Sequence, residues 1–373
     1  MMTHAELTKL EHDLRGRRVL SVYVNGDVAN AAARGQWRTE LKNAFDDIEA
    51  SLRGATHAER EGFAQTRELA LRELSDFTPG EDSPGWVGFF SGGKVHFDGV
   101  VPVPMPTQAT WTEGANLGPC IRALKETRPV FVVVADSARV RIHRYADRLV
   151  SHVESFEREG KVDQPYYMSR PAPQGFSSGT RGRPGSEAAQ RELRKGTEQM
   201  LSTAVGKIEE LAGKDARVLI GGIPLAAAAL HGRLGKNVSA RARVITLDVH
   251  ATDAMLAESA REHASRIREA EDVERIEQVV SARAQGGAGA VGVKDTARAL
   301  VNGQVRELYV TSAFVQDHVD QAVDAIRRAF DEGATVEHMS GNAAQKLDAA
   351  GGIAARLRFT IANDGTGAAA AGA

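Results

Sequence analysis

The sequence is poor in the residues that build disulfides and metal sites. Cys120 is the only cysteine among 373 residues. It forms no intramolecular disulfide, cannot build a multi-cysteine zinc cage, and fits a reducing compartment. The eleven histidines are scattered, with no HExxH and no His/Cys pair at ligand spacing. No GxSxG nucleophile elbow is present either. These absences argue against a metal enzyme and a serine hydrolase, and we expect no catalytic residue, no metal and no cofactor.

The sequence also lacks an excess of one charge and a long hydrophobic run. The 47 basic and 49 acidic side chains leave a formal charge of −2, which excludes a wholly basic nucleic-acid coat but not a local basic patch. The longest apolar stretch, Val218–Leu230, is too short to cross a bilayer. The N-terminus lacks the basic start and apolar core of a signal peptide. We therefore expect a cytoplasmic protein with no membrane partner.

Strand-like runs alternate with helical stripes along the chain. At about 150 residues per domain, the length predicts two or three domains. The alternation favours an α/β fold with mixed or parallel sheets covered by helices. We predict an N-terminal α/β domain at 1–128, a central α/β domain at 129–270 and a C-terminal α/β/α domain at 271–373. Residues 252–284 contain no strong breaker and predict a partly solvated connecting helix, which would be about 45–50 Å long.

Two glycine patterns look like nucleotide sites. Gly88–Lys94 has the spacing of a phosphate-binding loop, but Val95 stands where a hydroxyl residue would reach magnesium. A hairpin turn explains that segment better, because strand-like residues follow it. Gly287–Gly292 matches the dinucleotide fingerprint, yet a predicted helix precedes it where the fingerprint needs a strand. Neither pattern predicts a nucleotide cofactor.

The most informative segment is the long polar stretch Arg158–Ser186. It carries five basic and two acidic side chains, and unstructured loops of this length inside a domain are usually functional or disordered. Glycines let the backbone approach a polyanion, and arginines grip phosphate oxygens. Ser186 could cap the following helix, whose free N–H groups also favour an anion. The predicted RNA-contact residues are Arg170, Arg181, Gly182, Arg183, Gly185, Ser186, Arg191, Arg194 and Lys195. The alternative is a solvated loop with no partner.

The C-terminal segment carries a family resemblance. Residues 295–303 (DTARALVNG) precede the strand 308–310 (LYV), and residues 351–359 (GGIAARLRF) close the segment. This pattern resembles the third domain of the archaeal and eukaryotic class-one peptide chain release factors and Pelota, in their bacterial branch of Balon-like ribosome-associated factors. The resemblance covers nearly the whole chain. It implies an RNase H-like central domain with a long basic loop, a C-terminal α/β/α sandwich and a long connecting helix.

The chain departs from the pattern of this family in two places. Members carry Gly-Gly-Gln in the loop before the long helix, where it promotes hydrolysis of peptidyl-tRNA; this sequence has none, and Pro184–Ser186 stands in its place. The first-domain motifs that read stop codons are also absent. The resemblance therefore implies a factor that binds the ribosomal A site for rescue or hibernation, with the basic loop on ribosomal RNA. It would act as a monomer off the ribosome, with a translational GTPase as a candidate partner and no DNA partner.

Two other functions stay open at this stage. The first is a peptidyl-tRNA hydrolase in which Ser186 or loop backbone N–H groups orient the water, because positioning alone can accelerate hydrolysis. The second is a binding module outside the ribosome that uses the C-terminal domain for protein or RNA contacts.

Overall fold

The computed structural model describes residues 3–26, 35–80, 84–146, 149–158, 184–213 and 216–360. These described residues form a mixed α/β fold with three sheets. The chain divides into two compact units. Met1–Thr127 and Arg266–Ala373 make up the first unit, and Arg128–Ser265 make up the second. The predicted boundaries of three domains stay a prediction.

The N-terminal part of the first unit is an antiparallel sheet covered by helices. Its sheet order is β3-β2-β1-β4. Alternate residues of β1 point to opposite faces: Leu20 and Val22 join the core under α2 and α3, while Val19 and Tyr23 belong to a second core. The elements are α1 (His4–Leu14), β1 (Arg18–Asn25), α2 (Gln36–Ser51), α3 (His57–Ser75), β2 (Gly85–Ser91), β3 (Lys94–Val101), β4 (Gln108–Glu113) and α4 (Gly118–Glu126).

The C-terminal part of the first unit is an α/β/α sandwich with sheet order β10-β13-β11-β12. Leu308 and Val310 pack with the residues of α9 and α11, and Tyr309 packs on the opposite face with Ile276 of the long helix α8. The elements are α8 (Asp253–Ala284), β10 (Gly289–Val291), α9 (Val293–Val301), β11 (Val305–Thr311), α10 (Ser312–Asp317), α11 (Val319–Asp331), β12 (Thr335–Met339), α12 (Gly341–Asp348) and β13 (Ile353–Leu357).

The N-terminal and C-terminal parts of this unit share one hydrophobic core. Tyr23 of the first sheet and Leu308 of the second belong to the same cluster of buried side chains. The two parts approach closely at Gly118, where a Cβ atom would lie 2.5 Å from Cγ1 of Val315. Only glycine fits there without a shift of the neighbouring chain. Residues more than 150 positions apart therefore form a single packed body.

The second unit contains a five-stranded mixed sheet of order β7-β6-β5-β8-β9. The first three strands in sequence form an antiparallel meander, and the last two run parallel to β5. This is the RNase H-like arrangement that the resemblance implies. The elements are β5 (Val130–Ala135), β6 (Arg139–Ala146), β7 (Leu149–Glu157), α5 (Pro184–Ala212), β8 (Arg217–Gly222), α6 (Pro224–His231), α7 (Lys236–Ser239) and β9 (Ala242–Val244). The helix α8 begins in this unit.

Two predictions about the glycine patterns are confirmed. The hairpin around Gly92 connects β2 and β3, and α8 precedes the glycine pattern 287–292. The strand β9 ends at Val244; Ile245 still donates a backbone hydrogen bond to Ile220, but the regular ladder has ended. Two strands give little signal in the sequence, β4 because it is mostly polar and β10 because it has only three residues.

Candidate functional site

Most of the predicted RNA-contact loop lies outside the described residues. That group comprises Arg170, Arg181, Gly182 and Arg183. The helix α5 begins at Pro184, a position that suits proline because the first helical N–H has no partner. Gly185 and Ser186 therefore lie in the first turn of α5. The predicted position of Ser186 as the N-cap is corrected, because the helix begins two residues before Ser186.

The helix α5 is much longer than the strands that it covers. Its 29 residues span about 43 Å at 1.5 Å each, whereas the six residues of β8 span about 20 Å. The C-terminal half packs on the sheet through Met200, Ala204 and Ile208, which belong to the buried core with Ile220. Among the residues of its N-terminal half whose side chains the structure describes, 191–195 include no buried residue, and burial begins at Gly196. The predicted loop 158–186 therefore precedes a helix whose described N-terminal residues lie outside the buried core.

Three of the predicted RNA-contact residues have described side chains, and all three lie on the N-terminal half of α5. Arg191, Arg194 and Lys195 are all exposed, and the first buried residue of the described part of α5 is Gly196. Arg194 and Lys195 form no ion pair with any residue that the structure describes. The acidic Glu192 is also exposed on the same two turns. The arrangement presents positive charge to solvent, where it can meet an anionic surface.

The loop leaves the sheet at a well-ordered corner. Oδ1 of Asp136 accepts hydrogen bonds from the backbone N–H groups of Ala138 and Arg139, at 2.6 and 2.8 Å, and closes the turn between β5 and β6. The Arg158 N–H donates to the Ala138 carbonyl at 2.8 Å. Arg139 forms an ion pair with Glu157 at 2.5 Å. This hydrogen-bonded corner fixes where the loop begins. The charge of Arg139 at the corner is partly compensated by Glu157.

The first unit contains a pocket that the sequence analysis did not identify. Its volume is about 300 Å³, and its lining includes Arg122, Ser312 and His338. No motif could have revealed it, because these residues are far apart in the chain and only the packing of α4 against β12 brings them together. Among the described residues, no helix is both long enough and apolar enough to cross a membrane. Within the same ranges, no group of three potential metal ligands is found.

Comparisons with known proteins give structural likenesses only. No family model matches the chain, and no curated protein matches it. Among solved structures, Pelota of Archaeoglobus fulgidus aligns with a TM-score of 0.34 and 15% identity, over 74% of this chain and 80% of that chain. Dom34 of S. cerevisiae aligns with a TM-score of 0.45 and 10% identity, over 78% and 77%. The archaeal termination factor aRF1 aligns with a TM-score of 0.26 and 17% identity, over 96% and 99%.

Proposed function

We propose that this protein is a ribosome-associated translation factor that binds the ribosomal A site during rescue or hibernation and places the N-terminal half of α5, with the preceding loop, on ribosomal RNA. The proposal rests on the chain's own residues. The C-terminal sequence pattern resembles the third domain of the release factor and Pelota family. The helix that follows the basic loop carries exposed basic side chains at Arg191, Arg194 and Lys195.

The exposed basic residues near the start of α5 are the observation that carries the proposal. RNA presents closely spaced phosphates, and Lys or Arg contacts to them release counterions and provide sequence-independent affinity. Arg194 and Lys195 are exposed, so they can reach such a surface without breaking a described ion pair. A few contacts of this kind are compatible with a chain whose formal charge is −2.

The proposal includes no hydrolysis step. The sequence contains no Gly-Gly-Gln, and no observation on the described residues supplies a replacement for the glutamine. We therefore expect a release assay on stalled ribosomes that carry peptidyl-tRNA to give no product above background. Release of peptide by the purified protein would favour the hydrolase alternative instead.

Cosedimentation of the full chain with ribosomes tests the proposal. We expect the protein to pellet with ribosomes from stationary-phase extracts at low salt and to dissociate as the salt concentration rises. The variant Lys195→Glu should weaken binding several-fold and make its salt dependence shallower by about one phosphate contact. The matched control is Lys236→Glu, a charge reversal at an exposed lysine of the same unit on α7, which should bind like the wild type.

Two results would contradict this function. One is the absence of the protein from ribosomes at both low and moderate salt. The other is an equal loss of binding in the Lys195 and Lys236 variants, which would indicate a general charge effect. A second pair, Arg181→Ala and Arg183→Ala, examines the predicted loop residues. We expect both loop variants to bind more weakly while keeping the wild-type melting temperature.

A further inference from the structure

The pocket of the first unit lies at the carboxyl ends of two parallel strands. In β11 and β12, Val310 pairs with His338 and Thr311 with Met339, so both strands end at the same edge of the sheet. In open α/β sheets, ligands bind in the crevice outside the carboxyl ends of the strands. Here the crevice is lined by Ser312 and His338 from this edge.

The N-terminal part of the unit supplies the other walls of this pocket. The helix α4 contributes Arg122, and the segment between β3 and β4 contributes Pro104 and Met105. The volume of about 300 Å³ is at the lower end of the range for small-molecule sites. The pocket therefore exists only where both parts of the unit are packed together.

The pocket is lined by an arginine and by a hydrogen-bonded serine–histidine pair. Nε2 of His338 lies 2.9 Å from Oγ of Ser312, and His338 is only 5% exposed. The guanidinium of Arg122 donates to the Pro104 carbonyl at 2.6 Å and lies 3.6 Å from a carboxylate oxygen of Glu126. Because a guanidinium has five N–H donors, these two partners leave donors for a ligand.

Side-chain amides add further hydrogen-bonding capacity. Gln108 and Gln316 line the pocket, and neither amide forms a hydrogen bond with a described residue. The remaining lining is mostly apolar and includes three prolines. These apolar lining residues are Pro104, Met105, Pro106, Pro119 and Val315. The pocket therefore combines a cationic, polar side with apolar walls that suit a ring.

The Ser312–His338 pair is better suited to binding than to catalysis. Burial, together with the nearby charges of Arg122 and Lys125, lowers the pKa of His338 to about 3. A general base works best when its pKa lies near the working pH, so this imidazole is too weakly basic to activate the serine hydroxyl. At neutral pH it stays uncharged and orients the hydroxyl by a hydrogen bond.

We propose that this pocket binds a phosphate-bearing ring compound of about the size of a nucleoside monophosphate, with the phosphate on Arg122 and the ring against the proline-rich wall. Arg122 offers the charge-assisted donors that a phosphate takes. The hydroxyl of Ser312 and the amides of Gln108 and Gln316 would hold the polar groups of the ligand. Bound ligand would stabilise the packing of the two parts, because it contacts both.

Titration calorimetry of the isolated full chain tests this proposal. The probes are AMP, GMP, UMP, inorganic phosphate and adenosine, each up to about 5 mM, since a Kd near 1 mM already corresponds to weak binding. We expect at least one nucleotide to bind and to raise the melting temperature. Arg122→Gln should weaken the binding of that nucleotide about tenfold or more, which is the loss expected for a hydrogen bond to a charged group. The binding of adenosine should change less than twofold.

The matched control is Arg298→Gln, because Arg298 is an exposed arginine of the same unit outside the pocket; it should bind like the wild type. If Arg122→Gln does not fold, Ser312→Ala replaces it and should weaken the nucleotide several-fold. The proposal is wrong if no probe binds, if adenosine binds as tightly as its monophosphate, or if the variant that folds binds like the wild type. Ribosomes are absent from this assay, so its result is independent of the proposed function.

Discussion

The replacement Lys125→Met removes the central charge of a buried ionic cluster in the first unit. Nζ of Lys125 lies 2.6 and 2.7 Å from the two carboxylate oxygens of Asp272 and 2.6 Å from the carbonyl of His338. Oε2 of Glu337 is 3.8 Å away. Asp272 is fully buried at 0% exposure. Methionine would keep the volume of the side chain but remove the buried cation next to these carboxylates. Arg275, 3.3 Å from Asp272, would stay as an ion-pair partner of that carboxylate.

We expect this variant to lose about 3–5 kcal/mol in the free energy of unfolding, the range seen when one partner of a buried ion pair is removed. The assay is urea unfolding followed by tryptophan fluorescence. The three tryptophans of the chain, Trp37, Trp86 and Trp111, all belong to the first unit, so the signal reports that unit. The double variant Lys125→Met/Asp272→Leu should recover part of the loss, because an apolar pair leaves fewer uncompensated charges.

The loss should also depend on pH. Burial raises the pKa of Asp272, and the attraction and hydrogen bond of Lys125 lower it. Without the lysine, the folded-state pKa of Asp272 rises further above its value in the unfolded chain. A carboxyl group with a raised folded-state pKa destabilises the fold as the pH rises through that pKa. The difference between variant and wild type should therefore shrink as the pH falls.

The control is Lys346→Met. Lys346 also forms an ion pair with α8, through Glu277, but the two side chains are 49% and 60% exposed. Exposed pairs contribute about 0–1 kcal/mol, so this variant should stay within about 1 kcal/mol of the wild type. A loss below about 1 kcal/mol for Lys125→Met, or equal losses for both variants, would refute the reasoning that burial makes the Lys125 cluster important.

Three further predictions follow from close packing and burial. Gly118→Ala should lower the unfolding free energy of the first unit by about 1–3 kcal/mol in the same fluorescence assay, because the new Cβ would lie 2.5 Å from Val315. Adding Val315→Ala should recover part of this loss; a double variant whose loss equals the sum of the two single losses would contradict the prediction. Burial raises the pKa of the Cys120 thiol to about 12, so a disulfide reagent should label the native chain at least about a hundredfold more slowly than the urea-unfolded chain; equal rates would contradict this. Gly222→Ala should reduce hydrogen-exchange protection in β5 and β8, since Gly222 has φ +104° and its Cβ would lie 2.1 Å from the Ala135 carbonyl; unchanged protection would contradict this.

The local elements were largely predictable from the sequence. The stripe of Trp37, Leu41 and Phe45 marks α2, and the apolar run at 130–134 marks the central strand β5, because hydrophobic periodicity follows from the geometry of a helix or strand. β4 escaped prediction because polar residues dominate it. Its place in the sheet depends on pairing with β1, and that pairing is not local.

One candidate site could be predicted from the sequence, and the other could not. Arg191, Arg194 and Lys195 could be selected from the sequence, because they lie within two turns of one helix, next to a glycine-rich basic loop. The pocket with Arg122 and His338 could not, since 216 positions separate these residues and each alone looks ordinary.

Most strands and helices, the near-neutral charge and the position of the basic segment can be predicted without the fold, because these depend on neighbouring residues and composition. The folded chain is needed to show that 1–127 and 266–373 form one compact unit and that Lys125 meets Asp272 in its interior. The physical reason is that burial belongs to a position in the folded chain. A lysine or a histidine acquires its altered pKa only when distant segments exclude water from it.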